Sequence, residues 1–139
     1  MSRTPEQIVR EFGQLWEQRD IEGIVQAMTE NCVYANVPLP PMRGRDAVRN
    51  FITPNLTKAD GVEFRFLAIA TAADGRTVLT ERIDAFLFGD KRVAIPLMGI
   101  FVLRGEEIAE WRDYADIGTF VRDMRAIGQM PGPGVAAAG

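Results

Sequence analysis

Thr77-Val78-Leu79-Thr80-Glu81-Arg82-Ile83-Asp84-Ala85-Phe86-Leu87-Phe88 reads as one long strand. Asp74-Gly75 before it and Gly89-Asp90-Lys91 after it are turn signals. Working outward, Val62 to Ala70 is a second long strand and Arg92 to Leu103 a third. Pro96 lies inside the third and implies a bulge or an unpaired edge position there. Arg104-Gly105-Glu106 turns the chain again, and Glu107 to Tyr114 is the last strand. Four strands joined by tight turns predict an antiparallel meander.

Helices flank the meander. Thr4-Pro5-Glu6-Gln7 combines a capping residue, a proline suited to the first helical position and the glutamine of a capping box. Ile8, Val9, Phe12, Leu15 and Trp16 follow on one helical stripe. Asp20 caps a second, short helix carrying Ile21, Ile24, Val25 and Met28, antiparallel to the first. Asn31 to Asn36 is a short strand that ends in the stiff loop Pro38-Leu39-Pro40-Pro41. Gly44-Arg45-Asp46 opens a third helix, which Thr53-Pro54 should stop or bend. Asp116 caps a closing helix with Ile117, Phe120, Val121, Met124 and Ile127, and Gly128 is its natural stop. Residues 129–139, rich in glycine, proline and alanine, read as a flexible tail outside a single domain at 1–128. Helices gathered before a run of antiparallel strands indicate an α+β domain. A strongly curved sheet with those helices over its concave face would enclose a pocket.

Composition narrows the chemistry. The chain has 139 residues, 47% hydrophobic and 25% charged, with a net charge of -3, so a basic nucleic-acid surface is not expected. Cys32 is the single cysteine, so no intramolecular disulfide forms. There is no histidine, which removes His-based triads, His-ligated metals and His general bases. Neither Gly-x-Gly-x-x-Gly nor a Walker pattern is present, so no nucleotide cofactor is expected. No run of about 18 apolar residues exists to span a membrane, and the N-terminus has no apolar signal core; the expected compartment is the cytoplasm. Proton transfer falls to carboxylates, tyrosines, lysines or Cys32.

Period-two alternation decides which of these groups meet. Arg82, Asp84 and Phe86 share one face of their strand. Trp111 and Asp113 share one face of theirs, and Tyr34 and Asn36 another. If Phe86 and Trp111 face the core, Arg82, Asp84 and Asp113 enter the same interior. Each buried charge would cost several kcal/mol unless paired. One guanidinium between two carboxylates resolves this, because it donates to both. A single negative charge is left over, and it vanishes if one aspartate keeps its proton. Such a network serves strand register alone, or it splits the aspartates into a neutral acid and a charged base. Tyr34, Asn36 and Asp113 could then hold one water. Leu39, Phe86, Leu97 and Phe120 are candidate pocket walls by position, with plain core packing as the other reading. Asp116 is a cap rather than a catalyst.

The set Tyr34-Ala35-Asn36-Val37-Pro38-Leu39-Pro40-Pro41, Arg82-Ile83-Asp84 and Trp111-Arg112-Asp113-Tyr114-Ala115-Asp116 resembles the limonene-1,2-epoxide hydrolase family in order and spacing. The resemblance implies the cone-shaped fold of the nuclear transport factor 2 superfamily. It implies one-step hydrolysis of an apolar, cyclic, terpene-like epoxide to a vicinal diol, with no covalent intermediate and no cofactor. By position, Asp84 would protonate the epoxide oxygen, Asp113 would take a proton from water, Arg82 would bridge them, and Tyr34 and Asn36 would hold the water. The alternatives on the same fold are a ketosteroid-isomerase-like or cyclase-like enzyme and a non-catalytic domain that binds a small ligand. Val93 to Val102 is apolar on both faces, and in a one-sheet domain a second subunit is the simplest cover, so a homodimer is expected.

Overall fold

The computed structural model describes residues 3–130. Helix α1, Pro5–Glu17, starts with the expected capping box: Gln7 N–H donates to Thr4 Oγ1 at 3.1 Å and Thr4 N–H to Gln7 Oε1 at 2.7 Å. Its stripe of Ile8, Val9, Phe12 and Trp16 is buried. Asp20 caps α2, Ile21–Gln26. Strand β1, Met28–Val37, begins three residues before the predicted start and ends at a cis Val37–Pro38 bond. The proline-rich loop returns the chain to β1 as a two-residue strand, β2, Met42–Arg43, which sequence alone does not reveal.

The meander follows as β3 (Gly61–Thr71), β4 (Thr77–Phe88), β5 (Lys91–Arg104) and β6 (Glu107–Ala115). The closing helix α4, Ile117–Ala126, is capped by Asp116 and followed by Gly128 at φ 77°, a left-handed stop. The six strands form one mixed sheet in the order β2-β1-β6-β5-β4-β3. All neighbours are antiparallel except β1 and β6, which run parallel. The sheet is curled and unclosed, and irregular register at Phe66/Ala68 and Val102/Leu103 supplies local bends. This is the expected α+β architecture.

The core lies between the concave face and the helices. Trp111 is its hub: Phe12 meets the indole edge-on at a centroid distance of 5.2 Å, while Phe101 and Tyr34 stack on it at 5.2 and 4.2 Å. Such pairs each add about 0.5–1.5 kcal/mol beyond the area they bury.

The two internal prolines fare differently. Helix α3, Arg45–Lys58, passes through Pro54 instead of stopping. The carbonyls around the break find side-chain donors, Thr53 Oγ1 to Arg49 O at 2.6 Å and Asn55 Nδ2 to Phe51 O at 2.9 Å. Beyond the proline, Leu56 is buried and holds the last turn on the core. Pro96 takes the second of its two expected settings: it pairs in register with Ile83 without a bulge, and its other side is an unpaired edge, because β5–β6 pairing stops at Leu97↔Ala115 and leaves residues 91–96 of β5 without a β6 partner.

Of the predicted tail, residues 131–139 lie outside the described residues. Gln129 N–H donates to Met124 O at 2.9 Å, and the Met130 carbonyl accepts from Lys58 Nζ at 3.2 Å. Among the described residues, no helix is long and apolar enough to cross a membrane.

Candidate active site

Alternation along β4 turns Thr80, Arg82, Asp84 and Phe86 to the concave face. Strand β5 lies between β4 and β6, and the register sets Thr80 opposite Gly99 and Gly99 opposite Asp113. With no side chain at Gly99, the Arg82 guanidinium reaches across β5 to Asp113. A Cβ at Gly99 would fall closer than 3.0 Å to both Arg82 Nη1 and Asp113 Oδ1, and 3.1 Å from Thr80 Oγ1.

Arg82 is fully buried, and its donors are directed to three groups. Nε donates to Asp84 Oδ1 at 3.0 Å, and Nη2 donates to Asp84 Oδ2 at 2.9 Å and Asp113 Oδ2 at 3.0 Å. Nη1 donates to Thr80 Oγ1 at 3.0 Å, and that hydroxyl donates to Gly99 O at 3.0 Å. The guanidinium carbon also stands 4.2 Å from the Phe64 ring centroid, a cation–π contact that shields the charge from water. Asp113 accepts a further bond from Trp111 Nε1 at 2.7 Å. The Asp113 side chain is 5% exposed and that of Asp84 13%.

These contacts set the protonation. Burial opposes the Arg82 charge, but the two aspartates more than offset it and hold its pKa above the ordinary value. Burial raises both carboxyls despite the pull of Arg82. Asp84 is pushed up to about 6, first by burial and further by the charge of Asp113. One guanidinium neutralises one carboxylate, so the buried cluster is neutral when the aspartate pair holds a single proton, a state that burial favours. Burial, and then the charge of Asp113, also raise the Tyr34 phenol, which stays neutral.

Parallel pairing of β1 with β6 brings in the other half: Tyr34 lies opposite Trp111 and Asn36 opposite Asp113. Asn36 Nδ2 donates to Tyr34 Oη at 3.3 Å. Tyr34, Asn36, Asp84 and Asp113 therefore line one cavity, the five predicted polar residues being completed by Arg82 behind the aspartates. Phe86, Leu97 and Phe120 line the same cavity, with Phe86 and Phe120 rings 5.9 Å apart. Leu39 does not line it; the loop packs this side chain against Ile117 and Val121.

Five residues at the site are not marked as functional by sequence alone. Thr80 is detectable as the residue two before Arg82 on the same face. Trp111 was read as core, and its indole N–H toward Asp113 depends on rotamer. Gly99 matters only once the β4-β5-β6 register is known. Asn55 and Lys58, which also line the cavity, were hidden by the expected helix break at Pro54. Among the described residues, no group of three or more Cys, Asp and Glu is placed to hold a metal ion. The arrangement offers a neutral carboxyl, a carboxylate and a water-sized polar corner at the end of an apolar cavity.

Comparison with known proteins bears on this geometry. The domain family described as limonene-1,2-epoxide hydrolase catalytic domain matches residues 3–125. The chain belongs to the limonene-1,2-epoxide hydrolase family. Epoxide hydrolase EphG of Mycobacterium tuberculosis (strain ATCC 25618 / H37Rv) is 31% identical over 109 residues, 78% of this chain and 71% of that protein. A solved structure of an M. tuberculosis limonene-epoxide-hydrolase-like epoxide hydrolase superposes with a TM-score of 0.71 at 27% identity, covering 86% of this chain and 87% of that one. The epoxide hydrolase/cyclase-like enzyme SalBIII, of pyran ring formation in the polyether salinomycin, superposes with a TM-score of 0.73 at 23% identity, over 82% of this chain and 92% of its own. That last likeness speaks for the fold alone. The chain is thus an epoxide hydrolase of the limonene-1,2-epoxide hydrolase family on a nuclear-transport-factor-2-like fold.

Proposed function

We propose that this limonene-1,2-epoxide hydrolase family member converts an apolar, cyclic, terpene-like epoxide and water into a vicinal diol in one step, without a cofactor. The observation that carries this is the buried guanidinium shared by two carboxylates at the end of an apolar cavity. Asp84 holds the proton and gives it to the oxirane oxygen as a C–O bond breaks. Asp113, charged, takes a proton from the water whose oxygen attacks that carbon from the opposite face. Asn36 donates to the Tyr34 oxygen, which leaves the phenol O–H as a donor to the water. The Asn36 carbonyl oxygen and Asp113 accept the water's two hydrogens, and a lone pair is left for attack. The product diol departs with the proton on Asp113, and its return to Asp84 resets the pair. Arg82 supports either position of the proton, since it donates to both carboxylates.

The test is a panel of apolar cyclic and acyclic epoxides, incubated with protein dialysed against chelator. Diol from the cyclic members supports the reading. Absence of diol from every epoxide, or double-bond migration in an enone instead, overturns it.

The acid role fixes a pH dependence. Asp84 works protonated and is pushed up to about 6. Its working form is therefore full below that value and lost as pH rises through it. The expected kcat/KM profile falls about tenfold per unit on the alkaline side of pH 6, measured with an epoxide that is stable in buffer. A profile flat from pH 5 to pH 9 would remove Asp84 as the acid.

We propose also that the chain forms a homodimer through the convex face of the sheet. Leu79, Met98 and Tyr114 are exposed there at 37%, 51% and 45%, and the pairs Leu79↔Ile100 and Met98↔Tyr114 make the patch continuous. Sedimentation at micromolar concentration is expected to give a dimer. Met98→Glu is expected to weaken it more than about tenfold, since the new carboxylate would be buried without a partner. A monomer in the unsubstituted protein contradicts the proposal.

A further inference from the structure

The cavity has a second polar end. Phe51, Asn55 and Lys58 follow at i, i+4 and i+7 on one face of α3, and all three line the cavity. The Phe51 ring packs against Tyr34 at a centroid distance of 5.9 Å, which marks the level of the reacting groups. Lys58 is seven residues further along the helix, roughly 10 Å at 1.5 Å per residue. It stands at the mouth, exposed, beside Met130. Between these levels the lining is apolar apart from the Asn55 amide and the indoles of Trp16 and Trp111.

Among the described residues Lys58 has no counter-charge of its own. Its Nζ donates to a neutral acceptor, the Met130 carbonyl. Among the described residues no carboxylate pairs with it. Asp60, two residues on, is engaged by the Gly89 N–H through Oδ2 at 2.6 Å. Asn55 directs its Nδ2 back to the Phe51 carbonyl, so its side-chain oxygen is the part left for a ligand. An ammonium at the rim of an apolar cavity keeps its head in water while its stem covers the wall. It is a compact point charge that can hold an anionic group such as a carboxylate without the forked geometry of an arginine.

We propose that the substrate is an amphiphile: an epoxide on an apolar body that ends in a carboxylate, with Lys58 holding the carboxylate at the mouth while the ring reaches the aspartates. The proposal rests on epoxide hydrolysis at this site and adds the class of substrate. It also sets orientation, because the charged end cannot enter the apolar interior without losing its hydration.

The probes are carboxylate-terminated epoxyalkanes with about four, eight and twelve methylenes between ring and carboxylate, each beside its methyl ester; an extended chain advances about 1.2 Å per bond, so the middle spacer fits. The acid is expected to exceed its ester about fivefold in kcat/KM for the middle spacer at low ionic strength, with the advantage shrinking as salt is added. Lys58→Arg is expected to keep the preference, Lys58→Met to bring the ratio near one, and Lys58→Glu to reverse it. Equal rates for acid and ester in the unsubstituted protein overturn the proposal, as does a preference that Lys58→Glu leaves in place. Diol from esters with no acid advantage removes only the amphiphile. Diol from neither acids nor esters overturns the amphiphile; if the cyclic panel also gives no diol, the epoxide reading falls with it.

Discussion

Asp113→Asn and Asp84→Asn each lower kcat for diol formation by roughly a hundredfold to ten-thousandfold, with the folded structure retained. The shape of the side chain is unchanged in both, and so is the charge of the buried cluster. With one shared proton, Arg82 faces one carboxylate and one neutral carboxyl; with an asparagine it faces one carboxylate and one neutral amide. The two variants should still differ. In Asp113→Asn the only remaining carboxyl is Asp84, which receives both the Nε and Nη2 donors of Arg82. Relieved of its like-charged neighbour, it ionises, so the acid is lost along with the base. In Asp84→Asn the base stays charged on Arg82 and Trp111. Asp113→Asn is therefore expected to be the more damaging of the two. Paired measurements of kcat and Tm check this. Near-normal turnover in either variant would remove that aspartate from the reaction.

Gly99→Ala is expected to cost about a hundredfold or more in kcat and roughly 1–3 kcal/mol in stability. The added methyl has no free space, because it meets Arg82 Nη1 and Asp113 Oδ1 at once, with Thr80 Oγ1 at 3.1 Å. Neither charged group has a way out: Arg82 lies against Phe64, and Asp113 is fixed by Trp111. The methyl must part the guanidinium from Asp113 or lift β5 from its neighbours. A displacement of about 1 Å suffices for the predicted loss. Wild-type kcat in Gly99→Ala would show that the bridge from Arg82 to Asp113 is not needed.

How far the sequence could go differs from residue to residue. Strand β4 is legible from end to end because turn residues bound it, and Arg82 and Asp84, two residues apart, fall on one inward face. Asp113 and Asn36 were legible as inward residues, but their adjacency comes from the parallel β1–β6 pairing, a contact between residues far apart in the chain. The proline rule misleads at Pro54, where local propensity yields to tertiary packing, and holds at Pro96, where the end of β6 leaves an unpaired edge. The helix beyond Pro54 is what carries Asn55 and Lys58 into the cavity. Gly99 was silent for a further reason: its role is to have no side chain at a crossing point, and nothing in a one-dimensional pattern marks a crossing. Leu39 was placed near the pocket by its loop, yet the loop turns it to Ile117 and Val121.

Water attacks directly between two carboxylates that share one proton. A single turnover in oxygen-18 water, with protein in excess over epoxide, checks this. The first diol formed is expected to carry one solvent oxygen. A first-turnover diol without label, with the label left in a carboxylate of Asp84 or Asp113, would contradict it by showing a covalent ester.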